Sequence, residues 1–184
     1  MSKKEPTTIS NKSKKKNKQD PGVYFRQLGR LEKLNKSSEV KAGVVFSFHS
    51  LIIGLFADRM DYFKLLFDEN PLIIVFTTLW IISALISIVF AFKCFKPIII
   101  SLKYDDNVFF FGDVVSKYNS IEDYVNRVFE VNEDKVELFE QLAQQMHVES
   151  TIVATKFKNV QNAIKFFMFS VLFIIVTLIT IAVT

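Results

Sequence analysis

Residues 132–184 read NEDKVELFEQLAQQMHVESTIVATKFKNVQNAIKFFMFSVLFIIVTLITIAVT, with a charged first half and an apolar second half. In their first half, apolar residues recur at steps of three, four and seven, which is the spacing of one helix face. Residues 166–183 contain no charged side chain, and a stretch of this length suits a membrane span. Neither Gly nor Pro occurs after Gly112, so no residue type indicates a break. The sequence predicts one continuous helix that connects an aqueous domain to a membrane.

Two further apolar segments predict two more spans. The uncharged residues 44–57 form the core of a first span at 44–60, and residues 71–92, which begin with a proline typical of helix starts, form the second. The third span is placed at 164–184. Hydrophobic residues make up 50% of the chain, more than a soluble domain of this size usually buries. The predicted fold class is therefore a mainly all-α integral membrane protein with three transmembrane helices.

The composition of the segments before and between the first two spans predicts their structure. Residues 1–22 are polar and basic and are expected to form a disordered tail, and residues 23–43 a cytoplasmic amphipathic helix. Residues 61–70 are expected to be an external loop. Lys and Arg are abundant in residues 1–43 and scarce in residues 58–70, so the positive-inside rule places the N-terminus in the cytoplasm.

Residues 93–163 are expected to form a small helical cytoplasmic domain inserted between the second and third spans. It is too short to bury a large core alone, so its fold should be completed by residues 23–43 or by other protomers. Its local patterns are typical of two short strands or buried extended segments, one turn and two helix N-caps, at IIISL (98–102), NVFFF (107–111), FGD (111–113), Ser120 and Asn132.

Each predicted span carries small residues along one stripe, which lets another helix backbone approach closely. This pattern predicts a tightly packed bundle and a homo-oligomer. The stripes are Gly43, Ser47, Ser50 and Gly54 in the first span, Thr77, Ala84, Ser87 and Ala91 in the second, and Ala163, Ser170 and Thr177 in the third.

The sequence contains no pattern typical of a catalytic or metal site. One cysteine and two histidines provide neither a disulfide nor a metal-ligand set, and no glycine-rich phosphate loop is present. We therefore predict that the chain is not an enzyme and needs no metal or other cofactor. The lysines of the N-terminal tail have no aromatic residues between them, which argues against a nucleic acid polymer as partner.

Three segments of the chain resemble one known family. SSEVKAG (37–43), NVFFFGDVV (107–115) and QLAQQMHVESTIVATKFKNVQNAIKF (141–166) are similar to the membrane-spanning effectors of bacterial Pycsar antiphage systems, and the resemblance covers about residues 31–184. It implies a protein of the bacterial inner membrane that binds cyclic UMP or cyclic CMP made by a partner pyrimidine cyclase. The effector then disrupts the membrane, and the infected cell dies by abortive infection.

The resemblance also implies candidate ligand-binding residues, at Lys41, Phe111, Gly112, Gln145 and Lys156, with Ala42, Ser150 and Phe157 in the same motifs. Lys41 and Lys156 lie close to the predicted membrane interface, where both could contact one phosphate. Phe109, Phe110 or Tyr118 could stack on a base. The alternative for each lysine is a simple interfacial anchor. For the whole protein, the alternatives are a constitutive structural or assembly subunit, or an effector gated by another cyclic oligonucleotide.

Overall fold

The computed structural model describes residues 20–98 and 106–183, which fold into α-helices without a strand. Three of the helices are long and apolar enough to cross a membrane, and they pack against one another as a bundle. The predicted all-α fold with three candidate spans is confirmed for these residues. The helices are α1 (Pro21–Asp58), α2 (Met60–Glu69), α3 (Pro71–Phe95), α4 (Phe111–Lys117), α5 (Ile121–Glu133) and α6 (Lys135–Val183).

Helix α1 unites two segments that the sequence analysis treats separately, the amphipathic helix and the first span. It begins with Pro21, and the side chain of Asp20 caps it by accepting a hydrogen bond from the Gly22 amide at 2.9 Å. Its 38 residues extend over about 57 Å, well beyond the thickness of a hydrocarbon layer. The prediction of the disordered tail falls mostly on residues outside the described part of the chain.

Residues 61–70 are not a loop, because α2 occupies them up to Glu69. The amphipathic pattern of this short segment is helical, and only Arg59 separates it from α1. Asn70 then caps α3 by accepting from the Leu72 amide at 3.0 Å. Helix α3 ends at Phe95, two residues before Pro97, whose ring disfavours helical geometry at the preceding residue.

Helix α6 confirms the prediction of one unbroken helix. Its 49 residues extend over about 74 Å, so it is long enough to cross a membrane and to continue far outside it. Asn132 does not cap this helix, since it lies inside α5. The cap is Asp134, whose carboxylate accepts from the Val136 amide at 2.8 Å.

Two predictions for the connection between α3 and α5 are wrong, and one lies outside the described residues. NVFFF is a turn that leads into α4, and FGD is the first turn of α4. A short apolar run does not by itself distinguish a strand from other buried segments. IIISL falls mostly within residues 99–105, which are not described. The Ser120 cap is confirmed, because its hydroxyl accepts from the Asp123 amide at 3.1 Å.

Two buried clusters hold the helices together. In the bundle, small and branched side chains of α1, α3 and α6 pack tightly, and they are Ala42, Val45, Ala91, Cys94, Val160 and Ala163. A second cluster joins the turn before α4 to α5 and α6. Its buried residues are Val108, Val131, Leu138 and Leu142, and Tyr24 of α1 packs against them. We call residues 20–41 and 106–158 the polar end of the protein.

Candidate ligand-binding groove

A groove of about 410 Å³ opens at the polar end between α1 and α6. It is lined by Phe25, Leu28, Gly29, Glu32 and Asn35 of α1, by Phe109, and by Gln145 and Glu149 of α6. A helical period explains these sets, because Phe25, Leu28, Glu32 and Asn35 follow steps of three and four, as do Gln145 and Glu149. The groove is therefore the seam where the two long helices face each other outside the bundle.

The residues that line the groove include two side-chain oxygens without a hydrogen-bond partner in the described part of the chain. Gln145 is 8% exposed, and its Oε1 atom is buried without a hydrogen bond, as is Oδ1 of Asn35. The amide nitrogen of Gln145 is already engaged, because Nε2 donates to Glu149 Oε1 at 3.3 Å. A buried acceptor without a partner costs about 1–3 kcal/mol. A ligand that supplies donors at this place would remove that cost.

The two carboxylates of the groove make it electronegative. Burial raises the pKa of the Glu149 carboxyl above its ordinary value, the negative charge of Glu32 raises it further, and Lys156 partly opposes the rise. Glu149 is therefore harder to ionise than an ordinary glutamate, because its charged form loses hydration and meets a second carboxylate. No basic side chain is among the described residues that line the groove.

Besides α1 and α6, the groove has a third wall, which is Phe109 in the turn before α4. Hydrogen bonds of side chains hold this turn against α6. Asn107 Nδ2 donates to the Gln141 carbonyl at 2.8 Å, and the Val108 amide donates to Gln141 Oε1 at 2.9 Å. Tyr124 of α5 donates to the Val108 carbonyl at 3.3 Å. This anchoring places Phe109 beside Phe25, with the ring centroids 6.2 Å apart and nearly perpendicular. Both rings are available as an apolar wall.

An ion pair between Lys156 and Glu39 lies between the groove and the bundle. The side chain of Lys156 is 6% exposed, and that of Glu39 is 38% exposed. Glu39 is one turn beyond Asn35 on α1, and Lys156 is two turns beyond Glu149 on α6. The pair therefore joins the same two helix faces that form the groove, and it lies closer than the groove to the predicted membrane.

The structure does not bring the five predicted ligand-binding residues to one place. Lys41 is exposed, with its Nζ atom 5.7 Å from the centroid of the Phe157 ring, and Lys156 is bound to Glu39. Gln145 lies in the groove, but it is eleven residues from Lys156 on the same helix, a rise of about 16 Å. The other two residues lie on α4.

On α4, Phe111 is 66% exposed and its ring contacts that of Phe110 at 5.2 Å between centroids. Gly112 has a structural requirement of its own, because a Cβ atom there would lie 2.8 Å from the Phe110 ring. Neither residue lines the groove. The lack of a side chain at Gly112 lets the Phe110 ring lie close to the backbone at the start of α4.

The predicted small-residue stripes occupy two different surfaces. Those of α3 and α6 are inside the bundle, where Ser87 donates to the Ala163 carbonyl at 2.7 Å, and where Ser170 and Thr177 are also buried. The stripe of α1 faces outward, because Ser47, Ser50 and Gly54 are exposed and Gly43 is only partly buried. Self-association through the α1 stripe stays a prediction.

Sequence reasoning missed most of the groove. Glu32, Asn35 and Glu149 belong to it, but each also fits the polar face of an amphipathic helix. The available signal was the helical spacing of Gln145 and Glu149, which places two polar side chains on the face that also carries Lys156. That signal does not identify α1 as the opposite wall.

Comparison with known protein families identifies the family of the chain. No significant similarity was found to a curated protein or to a solved structure. The sequence profile of PycTM, the Pycsar effector protein domain, matches residues 23–183, which include the groove, α3, α6 and all of α1 except its first two residues. The chain therefore belongs to the family of Pycsar effector proteins with a transmembrane domain, and it is a membrane protein of antiphage defence.

Proposed function

We propose that the chain is a ligand-gated effector of the bacterial inner membrane, activated by a cyclic pyrimidine mononucleotide that a partner cyclase makes. The observation that carries the proposal is the unpartnered Gln145 amide oxygen in a groove between α1 and α6. The same two helices continue into the candidate membrane spans. A ligand in the groove would therefore touch both helices that enter the membrane.

The groove has room and chemistry for one pyrimidine base. A mononucleotide fits within about 410 Å³, and the rings of Phe25 and Phe109 offer faces and edges to a flat base. Gln145 and Asn35 supply polar atoms for the edge of the base. This arrangement retains Gln145 from the sequence prediction, and gives Phe111 and Gly112 an indirect role through the turn that carries Phe109.

The single negative charge of a cyclic phosphate needs a cation, and Lys156 is the nearest candidate along the seam. Its positive charge already acts on Glu149, so it lies within electrostatic reach of the groove. A phosphate at the end of the groove nearer the bundle would compete with Glu39 for the ammonium group. Binding would then break the one described ion pair that joins α1 to α6.

Release of this pair would act on the membrane through the helices themselves. Because α1 and α6 have no break between the groove and the spans, a change of their separation at the polar end must alter their packing in the bundle. The expected result is permeabilisation of the inner membrane and death of the infected cell. The proposed topology has the N-terminus and polar end in the cytoplasm, and the proposed active form is a homo-oligomer.

The test uses the full chain purified in detergent and the same preparation in dye-loaded liposomes. Cyclic UMP and cyclic CMP are titrated by calorimetry, with cyclic AMP, cyclic GMP and cyclic dinucleotides as comparisons. We expect a cyclic pyrimidine to bind and to release dye, and Gln145→Leu to lose both responses. Gln27→Leu, an exposed change on α1, is the matched control. Binding of a cyclic dinucleotide alone, or dye release that no nucleotide affects, would disprove the proposal.

A further inference from the structure

Most polar groups of the groove are acceptors, and the exception is the side-chain amide nitrogen of Asn35, which is a donor. Carboxylates of Glu32 and Glu149 can only accept hydrogen bonds when ionised, and Oε1 of Gln145 and Oδ1 of Asn35 are buried acceptors that receive no hydrogen bond from residues 20–98 and 106–183. The donor group of Gln145 is used internally, on Glu149. The groove therefore complements a ligand that brings at least two hydrogen-bond donors on one small group.

An ionised carboxylate can only be a hydrogen-bond acceptor, whereas an amide can present either a donor or an acceptor. An amide can turn by half a rotation and exchange its donor for its acceptor, but a carboxylate has acceptor oxygens on both sides. Glu32 and Glu149 also repel each other, which contributes to the raised pKa of Glu149. A donor group placed between them would screen that repulsion and satisfy both oxygens.

Cytosine and uracil differ at the position that this groove would read. Cytosine carries an exocyclic amino group at C4 with two N–H donors and has an acceptor at N3, whereas uracil carries a carbonyl oxygen at C4 and one N–H donor at N3. Cytosine therefore brings two donors on one group, and uracil brings a single donor beside an acceptor. A glutamate accepts readily from the cytosine amino group, and it faces the uracil oxygen as one acceptor facing another. The aromatic walls stack on either base and do not discriminate.

We infer that the groove selects cytosine, so that cyclic CMP rather than cyclic UMP is the activating ligand of this chain. The inference rests on the proposed function and adds the identity of the base. The exocyclic amino group lies between Glu149 and Glu32 and donates to Glu149, and Gln145 Oε1 accepts the second N–H. Uracil in the same place leaves its C4 oxygen against Glu149.

The first measurement compares the dissociation constants of 3′,5′-cyclic CMP and 3′,5′-cyclic UMP on the full chain in one buffer. A well-formed contact discriminates between bases by about tenfold or more. We expect cyclic CMP to bind at least about tenfold more tightly. Equal affinities, or tighter binding of cyclic UMP, would overturn the inference and leave the proposed function standing. Failure of both nucleotides to bind would overturn both.

The second measurement asks whether Glu149 reads the base. Glu149→Gln gives this position an N–H donor that can reach the uracil oxygen, so the preference for cyclic CMP should shrink severalfold or reverse. Glu140→Gln makes the same charge change at an exposed position of α6 and should leave the preference unchanged. Thermal unfolding of both variants checks that they are folded. An unchanged preference in folded Glu149→Gln would overturn the inference.

Discussion

The ion pair between Lys156 and Glu39 gives the sharpest prediction for the stability of the resting state. Removal of one partner from a fully buried pair costs about 3–5 kcal/mol, because the other charge is left without compensation. Here Lys156 is nearly enclosed, but Glu39 is 38% exposed and can turn toward water. We therefore expect Glu39→Gln to lower the free energy of unfolding by about 1–3 kcal/mol, and Lys156→Met by less, since Glu39 can then hydrate.

Changes of this size in the free energy of unfolding give measurable shifts of the unfolding midpoint. For a chain of this size, 1 kcal/mol moves the unfolding midpoint by about 2–4 °C, so Glu39→Gln should unfold roughly 2–12 °C earlier in detergent. The double variant Glu39→Gln/Lys156→Met should be more stable than Glu39→Gln alone, because it removes the uncompensated ammonium group. Its coupling energy in a double-mutant cycle should be about 1–3 kcal/mol.

The same variants test the proposed gate. If the pair holds α1 against α6, Glu39→Gln should release liposome dye without nucleotide, while Lys158→Met, an exposed lysine change on the same helix, should not. Additive effects of the Glu39 and Lys156 variants on stability would show that the pair contributes nothing as a pair. If Glu39→Gln liposomes retain their dye until nucleotide is added, the ion pair is not the gate.

Three further predictions test the groove, the long helix and the outer stripe. The raised pKa of Glu149 means that its ionised form costs stability, so Glu149→Gln should raise the unfolding midpoint at pH 7, and the gain should disappear as the pH falls toward 4.5. Asn159→Pro, which lies between Lys156 and the uncharged span, should keep nucleotide binding and lose dye release, because proline kinks a helix at a cost of about 3 kcal/mol or more. Replacement of Ser47 and Gly54 by Leu should weaken crosslinked oligomers, since both face outward from the bundle.

A specific result would contradict each of these three predictions. A gain from Glu149→Gln that is the same at pH 5 and pH 8 would mean that burial of the charge is not the cause. A fully active Asn159→Pro protein would show that the signal does not pass along α6. Unchanged crosslinking of the Leu variants would leave the outer stripe without a role in assembly.

The spans were predictable because they depend on local composition. An uncharged stretch of α3 between Asn70 and Lys93, and another at the end of α6, suffice to mark helices that can cross a membrane. The unbroken course of α6 followed from the absence of Gly and Pro, which are the common interruptions. These features need no knowledge of which helix packs on which.

The groove was not predictable because it depends on register between distant segments. Asn35 and Gln145 are 110 residues apart in the chain, and they line one groove because α1 continues as a single helix from the bundle to the polar end. The turn before α4 resembled a strand because its apolar residues are consecutive. Its shape is set instead by Asn107, whose side chain both donates to α6 and accepts from the Phe109 amide.

Packing in the bundle indicates which helix should move when the groove is filled. Helices α3 and α6 are held together along their length by buried small residues from Ala91 and Ala163 to Thr77 and Thr177. The buried residues of α1, in contrast, end at His49, and residues 50–58 are exposed or only partly buried. Since α1 also carries Glu39, loss of the pair with Lys156 removes a restraint from the helix that has the fewest buried residues of the three candidate spans. We therefore expect α1 to move as a rigid rod against a fixed α3–α6 pair, and its outward stripe to change its neighbours in the membrane at the same time.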